Sequence, residues 1–257
     1  MVRGWIVSAA FFACAVPAAA QELVGPVDPW GGFEKGALAR FVVDMQFKAP
    51  VGAQAQPQRI EVKLVRLADD IAEVETQNQT GSAAPQTRKF RRDAAGANPS
   101  AGELGADRVK STKTGTEDLK VGGKIFACEI WEVTYRKNTV SGHAPVEVED
   151  TLKIWRSEKV PGGIVRVEGK QTGPGGGPTA PTVSTFQGKL ASLEERIKAG
   201  GQELTCALLE IEVEMTGGRP GKATQKLWLC DKVPGKVARR VVDSPGTIQT
   251  WELQEFK

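Results

Sequence analysis

The sequence has little of what most enzymes and metalloproteins use at their active sites. It contains one histidine and one tyrosine among 257 residues. A histidine-based metal site or a nucleophile–histidine–acid triad would have to be built around His143 alone. His143 follows Gly142 at a predicted hairpin tip, where a solvated turn residue is the expected role. The sequence therefore predicts a non-enzymatic protein with no catalytic residue, metal site or cofactor.

Neither sign of charge dominates the chain. It has 34 basic and 31 acidic side chains, for a net charge of +3. A nucleic-acid-binding protein needs a clustered basic surface that releases counterions. The one basic cluster, at residues 88–92, is expected to be a solvated strand or loop. We therefore expect no nucleic-acid partner.

Long apolar runs are also missing. After the first twenty residues, no segment is long and apolar enough to cross a bilayer. Residues 1–20 combine Arg3, a short apolar stretch and three alanines before Gln21, which is typical of a signal peptide. The sequence thus predicts an exported protein, periplasmic or extracellular, without a transmembrane segment. It does not indicate the oligomeric state.

Most of the remaining sequence alternates as β-strands do. Phe41, Val43, Met45 and Phe47 alternate with Val42, Asp44, Gln46 and Lys48, which is the period-2 pattern of a half-buried strand. Similar patterns recur to the end of the chain. They predict a mainly β fold, an antiparallel curved sheet or incomplete barrel of about 10–11 strands. One short helix is predicted from the spacing of apolar side chains in residues 190–197.

Two stretches of the chain repeat each other. A Gly-Gly pair precedes Cys128 and Cys206 by the same spacing, and a Trp-x-x-x-Lys-Val-Pro-Gly motif begins at both Trp155 and Trp228. Such self-similarity indicates a duplicated supersecondary unit, here predicted to have three strands. In the predicted single domain, 21–257, strands and loops occupy 21–116 and the first unit 117–171. A Gly/Pro linker follows at 172–182, and the second unit with a closing strand at 183–257.

The repeat also predicts a register. If each unit contains a hairpin with its tip at the glycine-containing break, facing residues form pairs that interact across the strands. Glu132 then faces Lys153 and Ile130 faces Trp155. The second unit gives Glu210 opposite Lys226 and Leu208 opposite Trp228. An ion pair and an aliphatic–tryptophan contact are therefore expected in both copies.

The same register places two cysteines opposite each other. Cys206 faces Cys230, and an oxidising compartment favours a disulfide between them. Closing that loop would stabilise the fold by about 3 kcal/mol in the chain-entropy description. Cys128 faces Ser157 and is expected to stay a buried thiol. The alternative is that all three cysteines are small apolar fillers.

These motifs carry a resemblance. The tandem Gly-Gly-Lys…Cys…Trp…Val-Pro-Gly-Gly unit, preceded by Pro29-Trp30-Gly31-Gly32-Phe33, resembles a group of secreted bacterial proteins to which no activity is attached. More remotely, the run of strands after a signal peptide is similar to LolA/LppX-like half-barrels, which carry lipoproteins or lipids across the periplasm. That likeness implies a concave apolar surface for an acyl chain. It would be lined by Trp131, Val133, Leu152, Ile154, Leu209, Ile211 and Leu227.

Two functions remain open at this point. The first is a carrier or sensor that binds a lipid or other apolar ligand on the concave face. The second is a structural or interaction module of the cell envelope, with a filled core and no ligand. Fold analogy is a weak warrant for either. The two differ in whether the apolar face is open or covered.

Overall fold

The computed structural model describes residues 26–48, 55–69, 71–81, 83–92, 109–141, 144–173, 182–217 and 220–257. Over these residues the chain forms thirteen strands. They are β1 (Leu38–Phe47), β2 (Gln58–Leu67), β3 (Ile71–Asn78), β4 (Gln86–Arg91), β5 (Val109–Val121), β6 (Lys124–Ser141), β7 (Ala144–Arg156), β8 (Ile164–Gly173), β9 (Thr182–Ala199), β10 (Gln202–Thr216), β11 (Gly221–Leu229), β12 (Val237–Ser244) and β13 (Thr247–Phe256). The predicted signal peptide, His143 and most of the Gly/Pro linker lie outside the described residues.

All thirteen strands belong to one curved antiparallel sheet, as the alternation predicts. Its order is β4-β3-β2-β1-β13-β12-β11-β10-β9-β8-β7-β6-β5. The first strand thus pairs with the last, and the two edges are β4 and β5, which follow each other in sequence. The sheet does not close into a barrel.

The direction of the edge strands distinguishes the open seam from the rest of the sheet. Twelve antiparallel pairings separate β4 from β5 along the sheet. An even number of reversals leaves the two edge strands running in the same direction. Parallel neighbours cannot be joined by a tight hairpin and need a long crossover connection. Closing the sheet would therefore require a pairing unlike the other twelve.

The duplicated unit has four strands rather than the predicted three. β5 joins β6 through Gly122-Gly123, and β9 joins β10 through Gly200-Gly201, with positive φ at all four glycines. The strand before each glycine pair was missed because β5 is largely polar and β9 contains a helix-like spacing. Residues 109–116, which the sequence assigned to the amino-terminal strands and loops, are therefore the first part of β5.

The predicted helix at residues 190–197 is also wrong. This segment is the second half of β9 and pairs with β10 from Gln202 onwards. Register shifts between Cys206 and Leu209 change which side chains share a face. The irregular spacing of Leu190, Leu193 and Ile197 results from these bulges rather than from a helical turn.

The predicted hairpin registers are confirmed. Glu132 faces Lys153 and Ile130 faces Trp155, while Glu210 faces Lys226 and Leu208 faces Trp228. Among the described residues the expected ion pair forms in the second copy, where Lys226 Nζ lies 2.7 Å from Glu210 Oε1. In the first copy Lys153 Nζ lies instead 5.1 Å from the centre of the Trp155 ring.

The amino-terminal lead-in ties the two repeats together. Val27 N–H donates to the carbonyl of Gly162 in the first Val-Pro-Gly loop, and Gly235 N–H in the second loop donates to the carbonyl of Pro29. Asp231 Oδ1 accepts a 3.0 Å hydrogen bond from Gly162 N–H and so bridges the loops directly. Trp30 is buried beside Gly235. One end of the sheet is thus held by a small network of loops.

Candidate functional site

The residues predicted to line a ligand surface converge on one face of the sheet, here called the inner face. Six of the seven belong to a single buried cluster, and none of the six is more than 2 % exposed. They are Val133, Leu152, Ile154, Leu209, Ile211 and Leu227. Their side chains contact one another across β6, β7, β10 and β11. This part of the inner face is filled by the protein's own side chains.

Trp131 lies at the margin of that cluster. It is half-buried, and its Nε1 donates a 3.0 Å hydrogen bond to Glu129 Oε2. The Arg156 guanidinium lies 4.4 Å from the ring centre, where the negative face of the indole attracts a cation. Polar partners therefore hold Trp131, whereas the other six pack against apolar neighbours.

Arginine also stacks on tryptophan at equivalent positions of the two repeats. Arg166 lies 4.5 Å from the Trp155 ring centre, and Arg239 lies 5.0 Å from that of Trp228. In each copy the pair is directly opposite across two strands. The spacing from tryptophan to arginine is identical in both copies. Extending the comparison of the two repeats beyond the Val-Pro-Gly motif could therefore have identified the stacked pair.

A cleft of about 380 Å³ opens on the opposite, outer face. Its lining residues are Glu132, Val133, Thr134, Thr151, Leu152, Lys153, Glu168 and Gly169. Because alternate residues of a strand point to opposite faces, the side chains of Glu132, Lys153 and Glu168 border it. The buried side chains of Val133 and Leu152 point away from it. Charged side chains thus border the cleft, and the sheet separates it from the apolar core.

Cys206 and Cys230 are both buried, free thiols. They lie one step beyond Ala207 and Leu229, the last pair of the β10–β11 ladder. A hydrogen bond between the two side chains raises the pKa of Cys206 and lowers the pKa of Cys230 to about 7. Two groups that share one proton titrate in this split manner. Both residues are thus thiols in the structure, and the predicted disulfide between them is not present.

Cys128 is a third buried thiol. Its Sγ donates to the Phe126 carbonyl oxygen at 3.3 Å, and burial raises its pKa. The predicted facing partner, Ser157, lies beyond the end of the β6–β7 ladder and donates its N–H to Gly163. Reactive cysteines have lowered pKa values and access to solvent, and Cys128 has neither.

Polar side chains interrupt the inner face on β11, β12 and β13. Arg240 lies opposite Leu227 on one side and Trp251 on the other, and Gln225 and Gln249 occupy the next row. We call Gln225, Arg240, Gln249 and Trp251 the buried polar cluster. The first three are 1 %, 4 % and 8 % exposed. Facing residues project on the same side of a sheet, so all four share the inner face.

The sequence contains one signal that could have predicted this cluster. Arg239 and Arg240 are consecutive in a strand, and consecutive side chains point to opposite faces. One arginine must therefore face inward. Arg239 is the outward one and pairs with Glu252 at 3.3 Å.

Comparisons with known proteins give no further guidance. No family description, curated protein or solved structure matched the chain. The resemblance to secreted tandem-repeat proteins and to LolA/LppX-like half-barrels therefore stays a prediction. No helix in the described part of the chain has the length and hydrophobicity needed to span a membrane. The described residues also contain no group of three or more histidine, cysteine or acidic side chains arranged to hold a metal ion.

Proposed function

We propose that this chain is an exported, non-enzymatic β-sheet protein, periplasmic or extracellular, that serves as a structural or interaction module of the cell envelope. In this proposal the apolar inner face is the protein's own core. The burial of six of the seven residues predicted to line a ligand surface supports it. A carrier would present such residues in a concave site that is largely pre-formed without its ligand.

The alternative is a carrier of a lipid or another apolar ligand, and one part of the inner face favours it. Along β1 the inner-face side chains become more exposed, from buried Val43 through half-buried Met45 to Phe47, which is 36 % exposed. Trp251, opposite Val43, is half-buried. An acyl chain would therefore lie against β1 and β13 rather than against the predicted residues.

Native mass spectrometry of the full chain, purified from envelopes without detergent, distinguishes the two functions. We expect the mass of the protein alone, and no saturable uptake of a fluorescent fatty-acid analogue. Phe47→Ser and Ile125→Ser form a matched pair, because both remove an exposed apolar side chain and only Phe47 is on the inner face of β1. Bound lipid, or uptake weakened by Phe47→Ser but not by Ile125→Ser, would establish the carrier function.

The export proposal includes a covalent consequence. We propose that Cys206 and Cys230 form a disulfide in an oxidising compartment by exchange with a disulfide-bonded oxidant, which takes up the two electrons and two protons that the thiols lose. Cys128 stays reduced. The adjacency of the two thiols supports this pairing. Peptide mapping of non-reduced protein from the envelope should recover a linked Cys206–Cys230 peptide and a mature chain that begins at Gln21. Recovery of both cysteines as thiols would mean that they act as apolar fillers.

A further inference from the structure

The buried polar cluster contains hydrogen-bond donors on three adjacent strands. Arg240 on β12 faces Trp251 on β13 and lies diagonal to Gln225 on β11, and its Cζ is 5.9 Å from the Trp251 ring centre. Adjacent strands are about 4.8 Å apart, and diagonal positions on one face about 7 Å. The side chains of all three residues can therefore reach a common point above β12.

Two of these donors have no partner in the described part of the chain. Gln225 Nε2 and Trp251 Nε1 are both buried, and neither makes a hydrogen bond. Leaving a buried N–H group without an acceptor costs free energy, so native proteins rarely do it unless a water, ion or ligand supplies the acceptor. The Gln225 amide and the Trp251 indole therefore each lack an acceptor, and both residues are neighbours of the Arg240 cation on the same face.

We propose that the buried polar cluster binds a carboxylate monoanion. A carboxylate accepts about four hydrogen bonds in one plane, and it suits a guanidinium because two parallel N–H···O bonds can form. Arg240 carries five donors, so it can donate to the anion in addition to its other contacts. Gln225 Nε2 and Trp251 Nε1 supply two further donors from the neighbouring strands.

The charge and surroundings of the cluster select a monoanion over phosphate or sulfate. Arg240 is the one cation among the four residues, and its cross-strand neighbour Leu227 is fully buried. A dianion would retain an uncompensated charge in this apolar setting, and burying such a charge is strongly unfavourable. The site borders the filled part of the core at Leu227. A small carboxylate does not require an acyl chain, so this inference goes beyond the proposed function.

The test is a titration of the full-length protein with sodium acetate, sodium octanoate and sodium sulfate, each against sodium chloride of equal ionic strength. The readout is the indole N–H resonance of Trp251 in ¹H–¹⁵N spectra, assigned with Trp251→Phe. We expect acetate and octanoate to shift this resonance in a saturable manner and with similar midpoints. We expect sulfate and chloride to leave it in place.

Adjacent arginines on opposite faces provide the matched control. Arg240→Gln should weaken acetate binding at least ~10-fold, because hydrogen bonds to charged groups are the strong ones. Arg239→Gln removes an outward arginine from the same strand and should leave the midpoint unchanged. Should Arg240→Gln fail to fold, Gln225→Leu removes one donor without burying a new unpaired group. It should weaken binding by roughly fivefold.

Each other outcome identifies a different occupant. No response to any anion would overturn the proposal and indicate a bound water only. A response to sulfate alone would also overturn it, as would an Arg240→Gln variant that binds acetate as well as the wild type. Binding of octanoate without acetate would reject the small-anion site in favour of the apolar carrier, and would then count against the proposed function as well.

Discussion

Gly188 shows how tightly side chains pack on the inner face. A Cβ atom at this position would lie 2.7 Å from Cγ1 of Ile211 and 2.9 Å from Cγ1 of Val167. Real Cβ atoms do not approach other heavy atoms so closely, and both neighbours are themselves buried in the core. Glycine in a strand interior is otherwise unfavourable because it packs poorly. Here it leaves the space that two larger side chains occupy.

Gly188→Ala should therefore destabilise the protein by about 1–3 kcal/mol, which is the usual effect of overpacking a core. Gly115→Ala is the matched control, because Gly115 is also within a strand and its added methyl group would meet nothing nearer than Ile130 Cδ1 at 3.8 Å. The control should be neutral or stabilising by up to about 1 kcal/mol. Urea unfolding measures both, and equal effects of the two substitutions would contradict the packing argument.

The Cys206–Cys230 pair gives the reduced protein a pH-dependent stability. The pKa of Cys230 is lowered from 9.0 to about 7 in the folded state. Between pH 7 and 9 the unfolded thiol therefore binds more proton than the folded one, and the free energy of unfolding rises with pH. Above pH 9 the sign reverses, because the raised pKa of Cys206 keeps its thiol protonated in the folded state.

Urea unfolding of the reduced protein from pH 6 to 10 should show this maximum near pH 9. Cys230→Ala removes the shared proton, and the difference between the wild-type and variant profiles isolates the pair from other titrating groups. A difference that does not change with pH would show that the thiols do not interact. The oxidised protein should lack the effect, since a disulfide does not titrate.

At the scale of elements, the two Val-Pro-Gly loops are similar in backbone and different in contact. In each loop, the carbonyl of the first residue after the preceding strand accepts a hydrogen bond from the valine N–H three positions later. These residues are Ser157 in the first loop and Cys230 in the second. Gly163 in the first loop has φ +74°, and Lys236 at the equivalent position of the second loop has φ +54°. Asp231 bonds across to the first loop, whereas its counterpart Glu158 is exposed.

Asp231→Ala should cost about 1–2 kcal/mol, because it leaves the part-buried Gly162 N–H without an acceptor. Glu158→Ala is the equivalent substitution in the other repeat and should change stability by less than about 0.5 kcal/mol. Thermal unfolding of the two variants compares them directly. A larger effect of Glu158→Ala would mean that the loops are not bridged as described.

The elements also show what sequence could and could not predict. Alternation and the repeat predicted the hairpin registers, because one assumption per hairpin fixes every facing pair. They missed β5, whose edge position leaves it mostly exposed and polar, so no apolar period marks it. They missed the bulges in β9, which break the period. The buried polar cluster was missed because it depends on which strands are neighbours, and β13, which carries Gln249 and Trp251, lies outside the repeat.

At the scale of the whole molecule, β13 joins two parts of the sheet. It pairs with β12 at the end of the repeats and with β1 at the start of the amino-terminal strands. At the chain's end, Leu38 and Lys257 exchange two backbone hydrogen bonds. The amino-terminal strands contact the repeats mainly through this strand and through the lead-in loops.

A chain that ends at Gly246 should therefore lose protection in β1 to β3 while it retains protection in β6, β7 and β8. Hydrogen exchange by mass spectrometry resolves the two regions. A synthetic peptide of residues 247–257 should restore the lost protection by adding a strand between two open edges. Full protection of β1 in the truncated chain without the peptide would show that the lead-in loops suffice.

The pairing of the first strand with the last has a consequence for how the protein is made. Ala39 meets Phe256, and so distant a contact forms late because a very long loop must close first. While the chain emerges from its amino terminus, β1 has β2 on one side and an unsatisfied row of backbone groups on the other. Such an edge readily captures strands from other chains. Until β13 is available, that edge of β1 is therefore open to pairing with strands of neighbouring chains.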